Sequence, residues 1–570
     1  MKRNIIRIDI SSGTIKTEEN SGAYNKLGGR GLTSAIIKQE VPPLCHPLGA
    51  GNKFIVAPGL LSGTSCINSG RLSIGAKSPL TGTIKESNVG GTAAHSLGKL
   101  NIAGIILENK PAGDKLQYIL VNKDGAQLLP ADDLKGLNNY EVVSRLREKY
   151  GDRVGVLSIG PAGENRFSSA SIAVADKEGH ASRHAGRGGL GAVLGSKGIK
   201  TMVIDSTDAP GVEYHDREAF KEAAKVFRGA IMESDVTKPN TGELAMYSMN
   251  AIMAPVNALG AFPTRNFSQG QFEGVAKIDG EALHNTIKER GGIYNHAGCS
   301  QCIIQCSNVY VDKKKNFITS ALEYESIWAL GANCGIDDLD AIARMDRLCD
   351  EYGIDTIETG GAIGVAMEAG VKSFGDCEGA IELIHEIGQA TPLGRILGSG
   401  AVTTGRAFGV ERVAQSKGQS FPAYDPRGLK GLGVTYATSP MGADHTAGFA
   451  VTLDEDDKNP EGKAQASLDM QIYVAFVDAA GICLAAMDGV SEENGGQEAM
   501  SQMVNALFGW NITIEDYGNA IIKTERSFNK AAGFTALHDR LPEFLSKEPL
   551  PPHNTVFDVP YNGIDEKFNF

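Results

Sequence analysis

The chain has 570 residues, enough for about two to four globular domains, and 42% of them are hydrophobic. Its formal net charge of −13 argues against nucleic acid or an anionic membrane as a partner. No stretch approaches the roughly 18 apolar residues of a membrane span, and the first residues lack the apolar core of a signal peptide. We therefore expect a cytoplasmic protein whose nine cysteines stay reduced.

The first 207 residues predict a β-rich domain. Short apolar runs bounded by Gly, Pro and Asn recur there, at residues 53–57, 103–108 and 201–205. Such runs are typical of strands, because turn residues at both ends limit their length. A polar segment at 205–213 predicts the linker that ends this domain.

Helical patterns dominate the rest of the chain. An apolar stripe over residues 338–352 and an apolar segment over 467–477 both predict helices. A break in the pattern near 415–422 predicts one further boundary. The expected fold class is α+β, with the β-rich domain over 1–207 followed by two mainly α-helical domains over 208–418 and 419–570.

A glycine-rich run at residues 186–191 has the spacing G-x-G-x-x-G, and Asp205 follows 19 residues after the first glycine. A dinucleotide-binding fingerprint needs a strand directly before that glycine. The preceding stretch at 176–185 is polar and basic and does not predict one, so we do not expect NAD. The backbone N–H groups of the run, together with Arg183 and Arg187, predict instead a nest for a phosphate.

Three closely spaced cysteines predict a metal centre. Cys299, Cys302 and Cys306 form C-x2-C-x3-C, and a fourth candidate, Cys483, lies 177 residues further on. The spacing also fits one face of a helix, since a free cysteine packs like a small hydrophobe, but the Gly and Ser residues nearby favour a loop. Three near thiolates and one remote thiolate suit a [4Fe–4S] cluster better than zinc. The remaining cysteines are expected to be packing residues: Cys45, Cys66, Cys334, Cys349 and Cys377.

The frame D-x-x-G-I occurs twice, at residues 350–354 and 478–482, and Cys483 directly follows the second copy. The glycines fit a helix C-terminus in the left-handed conformation. That interpretation leaves the aspartates unexplained, because an acid in the last turn of a helix opposes the helix dipole. A carboxylate there suits a ligand with a planar N–H/NH2 edge, such as a pterin or guanine. Two copies predict two such ligand heads, held by Asp350 and Asp478.

Three more residues gain meaning only in context. His445 lies in the loop-like segment 439–445, and Glu325 and Tyr424 lie in short polar stretches. A single histidine is more often structural or superficial than catalytic, and the same holds for an isolated acid or tyrosine. The residues alone therefore do not assign a reaction.

Taken together, these segments resemble the tungsten-containing aldehyde ferredoxin oxidoreductase family. The resemblance runs from the N-terminus into the C-terminal third of the chain. Besides the cysteines and the two D-x-x-G-I motifs, its most specific pieces are KSPLTG at 77–82, SIGPAGEN at 158–165, AGRGGLGAV at 185–193 and YATSP at 436–440.

The resemblance implies a cofactor of two pyranopterin dithiolenes on one tungsten, less often molybdenum, without a protein ligand to the metal. The pterins would lie on the N-terminal β-sheet base, and the helical domains would enclose them and a substrate channel. Asp350 and Asp478 would hold the pterin heads, beside Ile354, Asp355, Ile482 and Leu484. A Mg²⁺ ion would bridge the pterin phosphates near Arg71, Asn88, Gly90, Arg183 and His184. The [4Fe–4S] cluster would be bound by Cys299, Cys302, Cys306 and Cys483.

The same resemblance implies the oxidation of aldehydes to carboxylic acids, in a reversible reaction, with electrons passed through the cluster to ferredoxin or a similar protein. His445 matches the active-site histidine of the family, Glu325 an acid near the metal, and Tyr424 a hydrogen-bond donor to the carbonyl. Many relatives carry Arg where this chain has Met441 and a basic residue where it has Ala447. Positive charge beside the cofactor is lost at these two positions.

Two alternatives stay open. The chain could be the tungsten catalytic subunit of a larger redox complex that acts on another carbonyl or aromatic acyl substrate. It could also be an iron–sulfur electron carrier without tungsten or pterin. The sequence also leaves a homodimer or additional redox subunits open.

Overall fold

The computed structural model describes residues 3–569, and its N-terminal part is built on two six-stranded sheets. The first sheet has the strand order β2-β1-β6-β3-β4-β5, with only β1 and β6 parallel among the described strands. Its strands are β1 (Asn4–Asp9), β2 (Thr14–Glu19), β3 (Phe54–Pro58), β4 (Leu72–Lys77), β5 (Ile84–Val89) and β6 (Ile102–Glu108), accompanied by helices α1 (Gly29–Glu40) and α2 (Ala93–Lys99).

The second sheet has the order β11-β10-β9-β12-β7-β8, in which β12 and β7 are parallel and the other described pairs are antiparallel. Its strands are β7 (Gln117–Asn122), β8 (Gly125–Pro130), β9 (Gly155–Ser158), β10 (Ile172–Val174), β11 (Arg183–Ala185) and β12 (Ile199–Ile204). The helices of this region are α3 (Asn139–Tyr150), α4 (Pro161–Glu164) and α5 (Leu190–Ser196).

Helices α2 and α5 contact strands of both sheets and share one buried core with them. Apolar side chains such as Phe54, Leu97 and Val193 fill this core and are fully buried. Helix α1 covers the other face of the first sheet with Leu32 and Ile36. Because both sheet faces are buried, the central strands are apolar along their whole length, as the short apolar runs predict.

The remaining chain is mainly helical and contains two small sheets, β13-β14-β15 and β16-β17. The strands are β13 (Ile293–His296), β14 (Ser307–Val311), β15 (Phe317–Ser320), β16 (Gln415–Ser416) and β17 (Gln419–Ser420). The helices are α6 (Arg217–Glu233), α7 (Glu243–Tyr247), α8 (Met253–Ala258), α9 (Gly280–Arg290), α10 (Tyr324–Leu330), α11 (Leu339–Tyr352), α12 (Thr356–Glu368), α13 (Cys377–Gly388), α14 (Pro392–Leu397), α15 (Ala401–Phe408), α16 (Lys430–Thr438), α17 (Lys463–Ala480), α18 (Gly496–Phe508), α19 (Ile514–Ala531), α20 (Phe544–Lys547) and α21 (Tyr561–Lys567).

The helices pack around two further cores. One core joins α10 to α13 with α16 and the last segments of the chain. The other joins α6 with α17, α18 and α19, elements far apart in sequence. Within residues 3–569, no helix is both long and apolar enough to span a membrane. The predicted α+β class is confirmed, while the predicted domain boundaries stay a prediction.

Both predicted helices are present, and both end at the repeated motif. Helix α11 begins at the Asp338 cap, whose Oδ1 accepts a hydrogen bond from the Asp340 backbone N–H at 2.9 Å. Helices α11 and α17 end at Gly353 and Gly481, with φ of 70° and 81°. A residue with a Cβ avoids this left-handed conformation, so the glycine of each motif stops its helix and leaves the aspartate at the end of the last turn.

Candidate active site

Both aspartates of the repeated motif line one cavity of about 250 Å³ between the N-terminal sheets and the helical part. The ends of α11 and α17 approach it from different sides. Seven of the residues predicted for the site line it: Asn88, His184, Asp350, Ile354, Asp355, His445 and Asp478. The predicted residues Arg71, Gly90, Arg183, Glu325, Tyr424, Ile482 and Leu484 lie outside this lining. Two repeats 128 residues apart in sequence thus share one chamber.

Asp350, at the end of α11, is held by a histidine of strand β11. Its Oδ1 lies 3.0 Å from Nε2 of His184, and its Oδ2 accepts a hydrogen bond from the Tyr140 hydroxyl at 3.3 Å. His184 is oriented from its other nitrogen, which lies 2.8 Å from the Ser171 hydroxyl. The carboxylate is therefore fixed in direction while it still faces the cavity.

Asp478 is held by an arginine instead. Its Oδ2 lies 3.2 Å from Arg30, and the other side of the same guanidinium forms two 2.9 Å hydrogen bonds to Glu525. The side chains of Arg30 and Glu525 are 1% and 0% exposed, so solvent cannot hydrogen-bond to either group if the other is removed. Burial raises the pKa of Asp478 to about 6, and Arg30 opposes that rise.

The neighbouring acid Glu86 also lines the cavity and is 5% exposed. Burial, and next the charge of Asp478, raise the pKa of its carboxyl to about 8. At neutral pH this pocket therefore holds a proton, which suits a ligand that offers both donors and acceptors. Neither Arg30 nor Glu86 was predicted as a site residue. The one local signal is that Arg30 lies between glycines, which allow a close approach of the backbone to a ligand.

The three cysteines of the triplet lie in an irregular loop between β13 and β14, so the helical interpretation of their spacing is wrong. The remote Cys483 shares their environment, because its charge acts on both Cys302 and Cys306. The backbone of Asn68 holds both sides together: its carbonyl accepts from the N–H of Cys483 at 2.8 Å, and its N–H donates to Gln301 at 2.8 Å.

Two guanidinium groups face these thiols. Arg71 donates to Sγ of Cys483 at 3.2 Å, and the charges that raise its pKa all belong to cysteines of this group. Nε of Arg183 is buried, and within residues 3–569 it meets no hydrogen-bond acceptor. Burial raises the pKa of the Cys302 thiol to about 12. Glu323 lies 3.5 Å from Arg183 and offsets its charge, but a neutral thiol does not balance Arg71, whereas a cluster held by four thiolates is anionic and would do so.

Gly90 makes the approach of the triplet to the first sheet possible. A Cβ at this position would lie 2.5 Å from Sγ of Cys299. Gly90 directly follows β5, whose Asn88 lines the cavity, so one strand end touches both the thiol group and the cavity. The cysteines predicted to bind the cluster therefore lie next to the cavity predicted to bind the pterins.

The acid–base candidates meet on the opposite wall. Nε2 of His445 lies 3.2 Å from Oε1 of Glu325, and the Tyr424 ring centroid is 5.6 Å from that of His445. Burial raises the pKa of Glu325 to about 8 and lowers the pKa of His445 to about 4. Near pH 7 the carboxyl group of Glu325 is therefore protonated, and the imidazole of His445, which lines the cavity, is neutral.

The predicted phosphate nest is only partly correct. A short strand, β11, does precede the glycine-rich run, but it is an antiparallel edge strand and forms no β-α-β unit with β12. Arg187 is not free to bind a phosphate, because its guanidinium already donates to the carbonyls of Ala443 and Ser420 at 2.6 and 2.5 Å. A dinucleotide-binding run needs a β-α-β crossover between neighbouring parallel strands, and β11 and β12 are not neighbours in the described sheet.

The family is decided by two sequence profiles that together cover most of the chain. The N-terminal domain of aldehyde ferredoxin oxidoreductase matches residues 5–206, and domains 2 and 3 of the same enzyme match residues 222–564. The chain belongs to the aldehyde ferredoxin oxidoreductase family.

Individual relatives agree with this assignment. The tungsten-containing aldehyde ferredoxin oxidoreductases of Pyrococcus abyssi and Thermococcus kodakarensis are each 34% identical to this chain, over 96% of it and 92% and 91% of their own lengths. An aliphatic sulfonate oxidoreductase WOR-like subunit of Pyrococcus furiosus is 26% identical, over 91% of this chain and 83% of the relative.

A solved structure shares the fold. The BamBC active-site complex of benzoyl coenzyme A reductase with 1,5-dienoyl-CoA superposes with a TM-score of 0.81, at 18% identity, over 100% of this chain and 94% of that one. The family therefore includes relatives named for aldehydes and for sulfonates, and its fold also occurs in an enzyme named for an aromatic acyl thioester.

Proposed function

We propose that the protein oxidises aldehydes to carboxylic acids at a tungsten bis-pyranopterin and sends the electrons through a [4Fe–4S] cluster to ferredoxin or a similar carrier. The balance is R–CHO + H2O → R–COOH + 2H⁺ + 2e⁻. One observation carries this proposal: a single cavity has two carboxylates from the repeated motif, an imidazole and a carboxyl group 3.2 Å apart on one wall, and four thiols with two guanidinium groups beside another. Protons and electrons, the two products besides the acid, each have a neighbouring group to receive them.

The cavity has the donors and acceptors that the cofactor requires. Asp350 and Asp478 would accept hydrogen bonds from the two pterin heads, with Ile354, Asp355, Ile482 and Leu484 beside them. Arg71, Asn88, Gly90, Arg183 and His184 would surround the phosphates and a bridging Mg²⁺ ion. When bound, the tungsten centre supplies a metal that accepts two electrons and polarises the aldehyde carbonyl.

Electrons would leave through the thiol side. Arg71 comes within hydrogen-bond distance of Cys483, which follows the second motif by one residue. The residue that positions one pterin head is thus only five positions from a cluster ligand. The short covalent path and the Arg71 contact support electron transfer from the cofactor to the cluster, which then reduces a one-electron carrier.

Protons would leave through His445 and Glu325. The neutral imidazole of His445 can accept a proton from the attacking water, and within the described chain its buried Nδ1 has no hydrogen-bond partner that would compete. Glu325, 17% exposed, lies behind it and holds a proton at neutral pH. Burial keeps the pKa of Tyr424 well above its ordinary value, so its hydroxyl stays a donor for the substrate carbonyl.

The charge of the cavity favours an uncharged aldehyde over a sulfonate. Both arginines in the described lining already face carboxylates, Arg30 with Glu525 and Arg187 with Asp355 at 3.4 Å. Beside this lining, the rings of Tyr424 and Phe449 pack together with their centroids 5.3 Å apart. A sulfonate would need a free cation that this lining does not offer.

The test is turnover by the anaerobically purified holoenzyme with a viologen dye as electron acceptor. We expect oxidation of aromatic and aliphatic aldehydes, no turnover of alkanesulfonates, and no reduction of aryl-CoA thioesters by reduced dye. Tyr424→Phe should lower kcat, because it removes the carbonyl donor but keeps the ring. Turnover of a sulfonate or thioester without aldehyde turnover would refute the proposal.

A further inference from the structure

The turn that carries His445 is clamped by a buried lysine. Nζ of Lys85 lies 3.0 Å from Oδ2 of Asp444, the residue directly before His445, and the lysine side chain is fully buried. Lys85 comes from β5, and the next residue of that strand donates its N–H to the sulfur of Met441 at 3.4 Å. Strand β5 therefore holds the 441–445 turn at two points.

A second cation clamps the same turn from the glycine-rich run. Arg187 donates to the carbonyl of Ala443, and its Nε lies 3.4 Å from Asp355 of the first motif. The following Gly188 gives Lys85 its path, because a Cβ there would lie 2.6 Å from Cγ of the lysine. The run thus supplies one clamp and makes room for the other.

These clamps also set the charge around His445. The groups that face it are Glu325 from α10, its neighbour Asp444, the cations Lys85 and Arg187, and the Tyr424 ring. Burial is the main cause of its lowered pKa; Asp444 opposes that shift, and Arg187 and Lys85 reinforce it. Positions 441 and 447 are Met and Ala, so on this wall the positive charge comes from the two buried cations.

We propose that Lys85 is a positioning residue for the acid–base pair: its ammonium fixes Asp444 and thereby sets the orientation and the charge environment of His445. The catalytic use of that pair rests on the proposed function, but the effect of Lys85 on His445 does not. Lys85 touches neither substrate nor cofactor in this account, and it acts through Asp444.

The direct test is the titration of His445 in the holoenzyme, read by NMR of histidine labelled with ¹³C in the ring and assigned with His445→Asn. Lys85→Met should raise the pKa of His445 by about one unit, because a nearby positive charge is removed and Asp444 loses its partner. Lys85→Arg should leave it near the wild-type value. Lys200→Met is the matched control, since Lys200 is equally buried and pairs with Glu164 away from the cavity.

An unchanged titration in Lys85→Met, or an equal change in Lys200→Met, would overturn the proposal. Should Lys85→Met fold poorly, Lys85→Met with Asp444→Asn removes both buried charges and keeps the question answerable. That double variant should fold, titrate His445 near the wild-type value, and show reduced kcat with little change in KM, because the turn has lost its clamp. A double variant with wild-type kcat would equally refute the positioning role.

Activity separates this proposal from the proposed function. If the wild-type protein oxidises no aldehyde while Lys85→Met still shifts the His445 titration, the positioning role holds and the reaction is wrong. If aldehyde turnover is present and the titration does not respond, the reaction holds and the positioning role is wrong.

Discussion

The two copies of D-x-x-G-I end their helices alike and then lead to different chemistry. After the first copy, Asp355 caps α12, accepting from the Ile357 N–H at 3.0 Å, and faces Arg187, which clamps the turn before His445. After the second copy, the same position is Cys483, which accepts from Arg71 and faces the cysteine triplet. One helix-end motif thus serves twice, and the residue that follows it directs one copy toward protons and the other toward electrons.

The groups that hold the two aspartates also differ. Asp350 is held by the imidazole of His184, whereas Asp478 is held by the guanidinium of Arg30, which is always charged. The guanidinium of Arg30 also pairs with the buried carboxylate of Glu525, so the second aspartate belongs to a wider network of buried ion pairs. Four predictions separate the two copies.

The largest difference is expected at the residue after each motif. Cys483→Ser should lose most of the iron and nearly all turnover with the dye, because the cluster loses a thiolate. Asp355→Ser should keep its iron and lose only part of its stability, since serine also caps a helix. Iron per chain and dye-linked turnover measure both. Equal iron in the two variants would remove Cys483 from the cluster.

Next in size is the loss of the fixed cation. Arg30→Met should lower the free energy of unfolding by about 3–5 kcal/mol, because the buried carboxylate of Glu525 would keep only the Ser34 hydrogen bond and lose its ion-pair partner. His184→Gln should cost clearly less, since glutamine can still donate to Asp350. Denaturant unfolding under anaerobic conditions measures both changes. Similar losses in the two variants would contradict the contrast between a buried guanidinium anchor and an imidazole anchor.

The proton side is tested by Glu325→Gln. The pKa of Glu325 is raised from its ordinary 4.5 to about 8 in the native state, so its contribution to stability is complete below pH 4.5 and is lost as the pH rises through 8. Relative to wild type, the variant should gain stability across that window. Its kcat should fall roughly a hundredfold near pH 7, and the change of wild-type kcat near pH 8 should disappear. A wild-type pH profile in the variant would exclude Glu325 from proton transfer.

The smallest expected effect comes from the two motif glycines. Gly353→Ala and Gly481→Ala should each cost about 1–2 kcal/mol or somewhat more, because both residues have positive φ and their Cβ atoms would meet backbone atoms at 2.8 and 2.7 Å. Only Gly481→Ala should also reduce bound iron, since it displaces the segment that carries Cys483. Equal iron in both would mean that the second helix end does not position the cluster.

The sequence predicted local structure better than distant partners. The motif glycines correctly predicted both helix ends, and the polar residues beside the cysteine triplet correctly predicted a loop. Strand β11 was not predicted, because two of its three residues are polar and it forms by pairing with β10 at the edge of the sheet. Cys483 was a fourth candidate because it directly follows the second motif, and the family resemblance implied that it joins the triplet.

The supporting shell could not be predicted from sequence patterns. Arg30 and Glu525 are 495 positions apart, and Lys85 and Asp444 are 359 apart. No periodicity records such pairs, because tertiary packing alone brings them together. Arg187 was assigned to a phosphate for the same reason: its backbone run has the form of an anion nest, while its side chain is taken up by two distant carbonyls.

The central claim is that the two aspartates hold two pterins beside one cluster. The most direct measurement is the number of pterins, tungsten atoms and iron atoms per chain, after anaerobic purification from cells supplied with tungstate and molybdate. The account predicts about two pterins and one tungsten or molybdenum with about four irons, and loss of pterin in the Asp350→Asn and Asp478→Asn double variant. Iron without pterin or tungsten would contradict it and would point to an electron carrier, and zinc in place of iron would remove the cluster as well.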